Sequence, residues 1–482
     1  MDYSVKEYWQ NYVNGKWVDG GDGGRITVMN PATAQSLAQV AKATPSDINT
    51  AVEAARAVVK SRALIAMNPI DRGRMVVRMG QLLRERKEEI ARLVSIDAGK
   101  PISEAMGEVE GSAKYFEYYG GAAATIEGRY IPLGDGVSDY VVPVPMGVVA
   151  HIIPWNYPNN MIARSLAPAL AAGNANVIKT PELDPLSGFV FAELAEEVGF
   201  PPGAVNILAG LGNEAGAALA EHDDIDLIVF TGSVPTGQSI MRAAVANVVP
   251  TVLELGGKSA ALVFEDANID SVVENVKAGI FENSGQVCDS MNRMVVQDKI
   301  YEDVVEAVKE MAESLSMGPG LEDYDITPLV SETQLDRVAM YAGVGEQQGA
   351  RLVTGGRKAG REGYFHQPTI FADVTADMRI NQEEIFGPVL SILKASDAAH
   401  AVGLANSTKY GLAAGVFTAD MDRAMWCSER LEAGQIHVNE WGVGGTQTPF
   451  GGFKQSGIGR EKGYESLLSY YQSKNVGIVF KN

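Results

Sequence analysis

Five short apolar runs, each separated from the next by a helical pattern, restrict the middle of this chain to a parallel sheet. The runs are 147–153 (GVVAHII), 175–179 (ANVIK), 204–209 (AVNILA), 226–230 (DLIVF) and 250–255 (PTVLEL). Helical patterns fill the gaps at 160–172, 184–198, 212–221 and 235–246. Strands separated by a whole helix are joined by crossovers, which run right-handed because twisted strands pack their helices back only that way. The pattern predicts a doubly wound nucleotide-binding architecture, with its ligand crevice outside the carboxyl ends of the strands. A second α/β alternation follows over 259–440, with no Ser-, Pro- or charge-rich linker between the two.

Helices are also predicted over 44–60, 70–98 and 101–118, the first with Thr44 as cap and Pro45 in its opening turn. The segment 128–145, with Gly134-Asp135-Gly136 at its middle, reads as a β-hairpin. The stretch 466–480 reads as an extended apolar tail, for which a second subunit is a natural cover. An apolar fraction of 46% over 482 residues supports a large core rather than disorder. A net charge of -20 argues against nucleic acid and against anionic membranes. No apolar stretch has the length of a membrane span, and Met1 to Trp9 lack the basic head and apolar run of a secretory signal. A reducing cytoplasm, with Cys288 and Cys427 as free thiols, is therefore expected. The five histidines are scattered without ligand spacing, so no metal site is expected.

Chemistry concentrates in a few runs. Cys288 sits among small and polar residues in Asn283-Ser284-Gly285-Gln286-Val287-Cys288, where a thiol can act as a nucleophile. Most lone cysteines are only small core residues, so the neighbouring motifs matter. Glu254 lies on the glycine-rich run Leu253-Glu254-Leu255-Gly256-Gly257-Lys258 and offers a carboxylate base. That run lacks the first glycine of a Walker loop, because Val252 stands there. Phe230-Thr231-Gly232-Ser233 ends a strand and opens a helix, where backbone amides hold phosphate or simply form a turn. Lys179 and Glu182 follow another strand at the crevice side, where a carboxylate can accept from ribose hydroxyls. Pro154-Trp155-Asn156-Tyr157-Pro158 forms a stiff loop that can aim the Asn156 amide at a developing oxyanion.

Together these runs resemble the aldehyde dehydrogenase superfamily over essentially the whole chain. The matching stretches are PWNYP, KTPE, FTGS, LELGGK, GQVC, Glu383-Glu384-Ile385-Phe386-Gly387-Pro388 and the run Pro449 to Gly457. The resemblance implies that Cys288 attacks an aldehyde, that Asn156 and the Cys288 N–H hold the oxyanion, and that Glu254 activates the water hydrolysing the thioester. It implies NAD as cofactor, held by Trp155, Lys179, Glu182, Gly232, Ser233, Glu384 and Phe386, with Glu182 disfavouring a 2′-phosphate. It also divides the chain into an NAD-binding domain (1–117 and 141–255), a second α/β catalytic domain (256–454) and a small β oligomerisation element (118–140 and 455–482). A homodimer or homotetramer is expected.

Ser165 departs from the family pattern, since many members carry Lys there as part of a proton relay; Glu461 remains as the relay's acid. Asp289 after the nucleophile is also unusual. Arg164 resembles the benzaldehyde and vanillin branch, and an Arg at this position also occurs in succinic-semialdehyde dehydrogenases, where it meets a substrate carboxylate. Glu282 is expected to compete for Arg164 by pairing with it. Tyr157, Trp441 and Phe450 match positions near the substrate tunnel and suit an aromatic ring. The expected substrate is an aromatic or aryl-bearing aldehyde, or otherwise a carboxylate-bearing aliphatic semialdehyde.

Overall fold

A switch in strand order builds the crevice predicted from the alternation. The computed structural model describes residues 5–481; residues 1–4, part of the stretch read for a leader, lie outside it. In the larger sheet Val148–Ile152 has Ala175–Thr180 on one side and Leu227–Thr231 on the other, all parallel. Val205–Ala209 extends the first side and Thr251–Glu254 the second. The chain therefore runs outward one way, returns, and runs outward the other way. The gap beside Val148–Ile152 is the switch point, and the loops leaving both of its flanking strands open into it. Antiparallel strands cap the sheet: Asn11–Val13 and Lys16–Val18 at one edge, Gly457–Ile458 at the other.

The second sheet has seven strands, ordered Arg351–Thr354, Thr369–Ala372, Val389–Ala395, Arg293–Gln297, Ala260–Val263, Ala413–Phe417 and Gln435–Val438. All pairs but the first are parallel. Side chains alternate across it as the strand period requires. Ala260 and Leu262 enter one core, and Ala261 and Val263 the opposite one. The short connection from Leu255 to Ser259 joins the two sheets. Glu254 thus ends a strand of the first sheet just before the chain enters the second.

Local signals explain most helix boundaries. Pro45–Ser61 starts in a reciprocal box, with the Thr44 side chain accepting from Asp47 N–H and the Asp47 carboxylate accepting from Thr44 N–H. The helix expected over 70–98 is two, Pro69–Glu85 and Lys87–Ala98, broken at Arg86. The Arg86 guanidinium there bridges Glu89 and Glu193. The segment 184–198 begins as a 3₁₀ turn, Leu186–Phe189, before the helix Val190–Val198. Pro158–Ala172 is buried on nearly every side, which accounts for its unusually even apolarity.

The tail differs from its expected form. Residues Gly463–Ser469 are helical, because Ser466 and Leu467 turn inward, and only Tyr471–Val479 is extended. This strand pairs along its full length with Val137–Pro145, which also pairs with Arg129–Ile131 as the expected hairpin. Its other edge has no partner among the described residues. Gly457–Ile458, at the start of the stretch 455–482 expected to form the oligomerisation element, pairs with Thr251–Glu254 of the first sheet.

Candidate active site

The loop that leads to Cys288 is held in an unusual backbone shape by buried hydrogen bonds. Asn283, Ser284 and Gly285 all have φ between 45° and 75°, a left-handed run that non-glycine residues avoid. The Asn283 N–H donates to Glu104 Oε2 at 2.9 Å, and its side-chain amide to the Asn156 carbonyl at 3.1 Å. Ser284 Oγ donates to the Thr327 carbonyl at 2.7 Å, and Gln286 Oε1 accepts from Val330 N–H at 2.9 Å. Gly285 approaches the Gly387 carbonyl so closely that a Cβ would stand 2.2 Å from it. The loop then delivers Cys288, half-buried and free.

Asn156 faces the same loop. Its Nδ2 donates to the Gln286 carbonyl at 3.0 Å. Its own carbonyl accepts from Lys100 Nζ at 3.0 Å, and Lys100 in turn pairs with Glu108 at 2.5 Å in a fully buried contact. The other Glu108 oxygen accepts from the Asn159 and Asn160 N–H groups, capping the helix Pro158–Ala172. Lys100, Glu108, Glu104 and Asn283 are the supports that the motifs did not reveal. Nothing local marks Lys100 or Glu108, since each acts across more than forty residues of sequence.

The structure changes the partners of Arg164 and Glu282. Arg164 forms a buried ion pair with Glu461, not with Glu282. Glu282 instead accepts from the Tyr157 hydroxyl at 2.7 Å. The Arg164 guanidinium also lies over the Phe450 ring, 4.9 Å from its centre. The charge that the sequence reading offered to an anionic substrate is already engaged. Ser165 cannot replace a lysine here, because its hydroxyl bonds back to the Met161 carbonyl within its own helix.

Glu254 is buried and neither carboxylate oxygen has a hydrogen-bond partner among the described residues. Burial and the nearby Glu461 push its carboxyl well above the usual range, while Arg164 opposes the shift. Gly451, of the run Pro449 to Gly457, leaves room for it, since a Cβ there would meet Glu254 Oε1 at 2.7 Å. The Cys288 thiol is also pushed well up, by burial and then by Asp289, whose Oδ1 is 4.0 Å from Sγ. Burial thus disfavours the charged form of both groups, and the thiol also feels the Glu254 charge.

The cofactor candidates gather at the switch point. Lys179 Nζ pairs with Glu182 at 2.7 Å at the carboxyl end of its strand. Ser233 caps the helix Val234–Asn247, with Gly232 just before it. Glu384 Oε1 accepts from Gly257 N–H at 3.0 Å, and burial raises its carboxyl to about 7. Trp155 and Phe386 meet edge to face with centres 5.1 Å apart. Such a set fits a dinucleotide, with a carboxylate for each ribose and a helix start for the pyrophosphate. Trp441 packs on His437 at 5.4 Å, and Phe450 is buried beneath Arg164.

Comparison with known proteins agrees with this geometry. The model of the aldehyde dehydrogenase family matches residues 17–476. This chain belongs to the aldehyde dehydrogenase family. As a member it is an oxidoreductase acting on aldehydes. It is 42% identical to an aldehyde dehydrogenase of Aspergillus niger over 467 residues, covering 96% of this chain and 94% of that one. It is 43% identical over 470 residues to the mitochondrial aldehyde dehydrogenase family 2 member B4 of Arabidopsis thaliana, covering 97% and 87%. The NAD+ complex of an aldehyde dehydrogenase from Bacillus cereus superposes with a TM-score of 0.97 at 39% identity, covering 99% of this chain and 98% of that one. No helix among the described residues is long and apolar enough to cross a membrane.

Proposed function

We propose that this aldehyde dehydrogenase uses NAD to oxidise an aromatic or aryl-bearing aldehyde to its carboxylic acid, through Cys288 with Glu254 as base. The observation that carries the reading is a Cys288 thiol within electrostatic reach of the buried Glu254 carboxyl, on a loop whose Gln286 carbonyl accepts from the Asn156 amide. NAD, when bound, supplies the hydride acceptor. Lys179 and Glu182 hold the adenosine ribose, Gly232 and Ser233 the pyrophosphate, and Glu384 the second ribose, with Trp155 and Phe386 beside it. The Glu182 carboxylate disfavours a 2′-phosphate, hence NAD rather than NADP.

Cys288 releases its proton to solvent, and the thiolate attacks the carbonyl carbon while the C=O π pair moves onto oxygen, giving the thiohemiacetal anion. The Cys288 N–H, which no acceptor among the described residues takes, and the second N–H of the Asn156 amide would hold the oxyanion. After oxidation a thioester remains on Cys288. Glu254, as carboxylate, takes a proton from the water that hydrolyses it. Arg164, paired with Glu461, lies within electrostatic reach of Glu254 and favours its carboxylate form. Tyr157, Trp441 and Phe450 supply apolar walls for an aryl group, while Glu282 holds the Tyr157 hydroxyl. The open edge of Tyr471–Val479, with Val479 and Phe480 exposed, supports a homodimer or homotetramer. The free thiols suit a reducing compartment such as the cytoplasm.

The test is kinetic. Cys288→Ala should abolish NADH formation from benzaldehyde. Glu254→Gln should give an NADH burst of up to about one equivalent and then slow turnover, as acyl-enzyme accumulates. A Glu254→Gln enzyme in which both steps slow equally would remove Glu254 from hydrolysis.

A further inference from the structure

Lys462 adopts a backbone conformation that a lysine should avoid, with φ 60° and ψ 169°. That region belongs almost entirely to glycine. Neighbouring bonds force the shape. Glu461 exchanges both backbone hydrogen bonds with Phe450 at 2.6 and 2.8 Å. Gly463 donates to the Thr446 carbonyl at 2.9 Å and accepts from the Tyr119 hydroxyl at 3.0 Å. The turn is fixed on both sides, and the residue between them is strained.

The side chain is equally odd. Lys462 is only half-buried, and its Nζ stands 5.4 Å from the Phe450 ring centre, on the ring that Arg164 also covers. Its ammonium has neither a hydrogen bond nor an ion pair among the described residues. Arg164, Asp289, Cys288 and Glu461 all act on it electrostatically, so it lies within reach of the charges around Cys288. His437 shares the neighbourhood, feeling both Asp289 and Lys462. Its ring is 5% exposed, and neither ring nitrogen has a partner. A half-exposed ammonium with no protein partner and a buried imidazole with none thus lie near Phe450 and Trp441. A carboxylate on the far end of a substrate would satisfy them.

We infer that Lys462, with His437, binds an anionic substituent of the aldehyde and so selects carboxylated substrates. The inference rests on the aldehyde-oxidising reading and names the substrate class within it. Asp289 opposes it in sign, since that carboxylate faces the same space, but it lies beyond ion-pair distance of Lys462. The two charges make separate predictions.

The experiment compares 4-carboxybenzaldehyde with benzaldehyde. Lys462→Met should lower kcat/KM for the carboxylated aldehyde at least tenfold more than for benzaldehyde, chiefly through KM. Lys462→Arg should recover much of the difference. Lys462→Gly, which suits the backbone, should repeat the loss in a chain relieved of strain. Asp289→Asn should move the preference the opposite way. A second readout needs no turnover: terephthalate should protect Cys288 from iodoacetamide better than benzoate does, and lose that advantage in Lys462→Met. Equal losses for both aldehydes, or equal protection by both acids, overturns the inference. Selective protection without aldehyde oxidation would sustain the anion site and overturn the activity reading instead.

Discussion

At the residue scale the site depends on which charges are already spoken for. Arg164 touches Glu461 and the Phe450 face, so its charge bears on Glu254 rather than on substrate. A base acts as its carboxylate, and Arg164 favours that form of Glu254. Arg164→Leu should raise the Glu254 carboxyl further and move the acid limb of thioester hydrolysis to higher pH. Losses in kcat/KM should be roughly tenfold and alike for benzaldehyde and 4-carboxybenzaldehyde. A selective loss with an unmoved pH limb would return Arg164 to the substrate. Asp289 gives the complementary case, because after burial its charge is the next cause raising the Cys288 thiol. Asp289→Asn should increase the iodoacetamide alkylation rate of Cys288 near neutral pH, since more thiolate is present; an unchanged rate would discount the contact. The runs that carry Cys288, Glu254 and Asn156 stood out in the sequence, because the composition of each fits the role proposed for it. Partner choice was not legible, and Arg164 shows why. Its helix position puts it in reach of several acids, and only the fold, through the paired turns at Phe450 and Glu461, selects one.

At the element scale the positioning is done by contacts between segments. The Lys100–Glu108 pair ties the helix Ile102–Ala122 to the loop carrying Asn156 and to the start of Pro158–Ala172. Removing one partner of a fully buried pair leaves the other charged and alone. Lys100→Met should therefore destabilise the chain by about 3–5 kcal/mol, read as a lower urea midpoint. Lys100→Met with Glu108→Gln should recover part of that, since the amide oxygen can still accept from Asn159 and Asn160. No recovery in the double variant would show that the Asn156 carbonyl contact, not charge, dominates. The alternation of short apolar runs and helices foretold the five parallel strands of the first sheet to within a residue or two, because buried parallel strands are apolar throughout, but not its three antiparallel edge strands. The break at Arg86 escaped, since it comes from a charge bridge to Glu193 in another helix. The helical start of the tail escaped because Gly463–Ser469 is too short for a periodic pattern to stand out.

At the scale of the whole molecule the two sheets meet through Leu255 to Ser259, and the joint carries a buried charge. Lys258 is 2% exposed, its Nζ has no partner, and Arg293 lies nearby, also buried. Burial lowers the Lys258 ammonium to about 7, with Arg293 adding to the effect. In the unfolded chain the same group titrates near its ordinary value of 10.5. Between these two values the unfolded state binds the extra proton, so stability rises with pH across the interval. Above it both states are neutral and the penalty is gone; below it both are charged and the penalty is complete. An apolar side chain of similar shape removes the penalty at every pH. Lys258→Met should therefore raise the Tm at pH 7, by a free energy of a few kcal/mol, since each tenfold loss of proton affinity on folding costs about 1.4 kcal/mol. The gain should shrink steadily as the pH is taken toward 10. A gain that is constant with pH would mean that methionine merely packs better, and a loss of stability would mean that the ammonium has a partner in the folded chain.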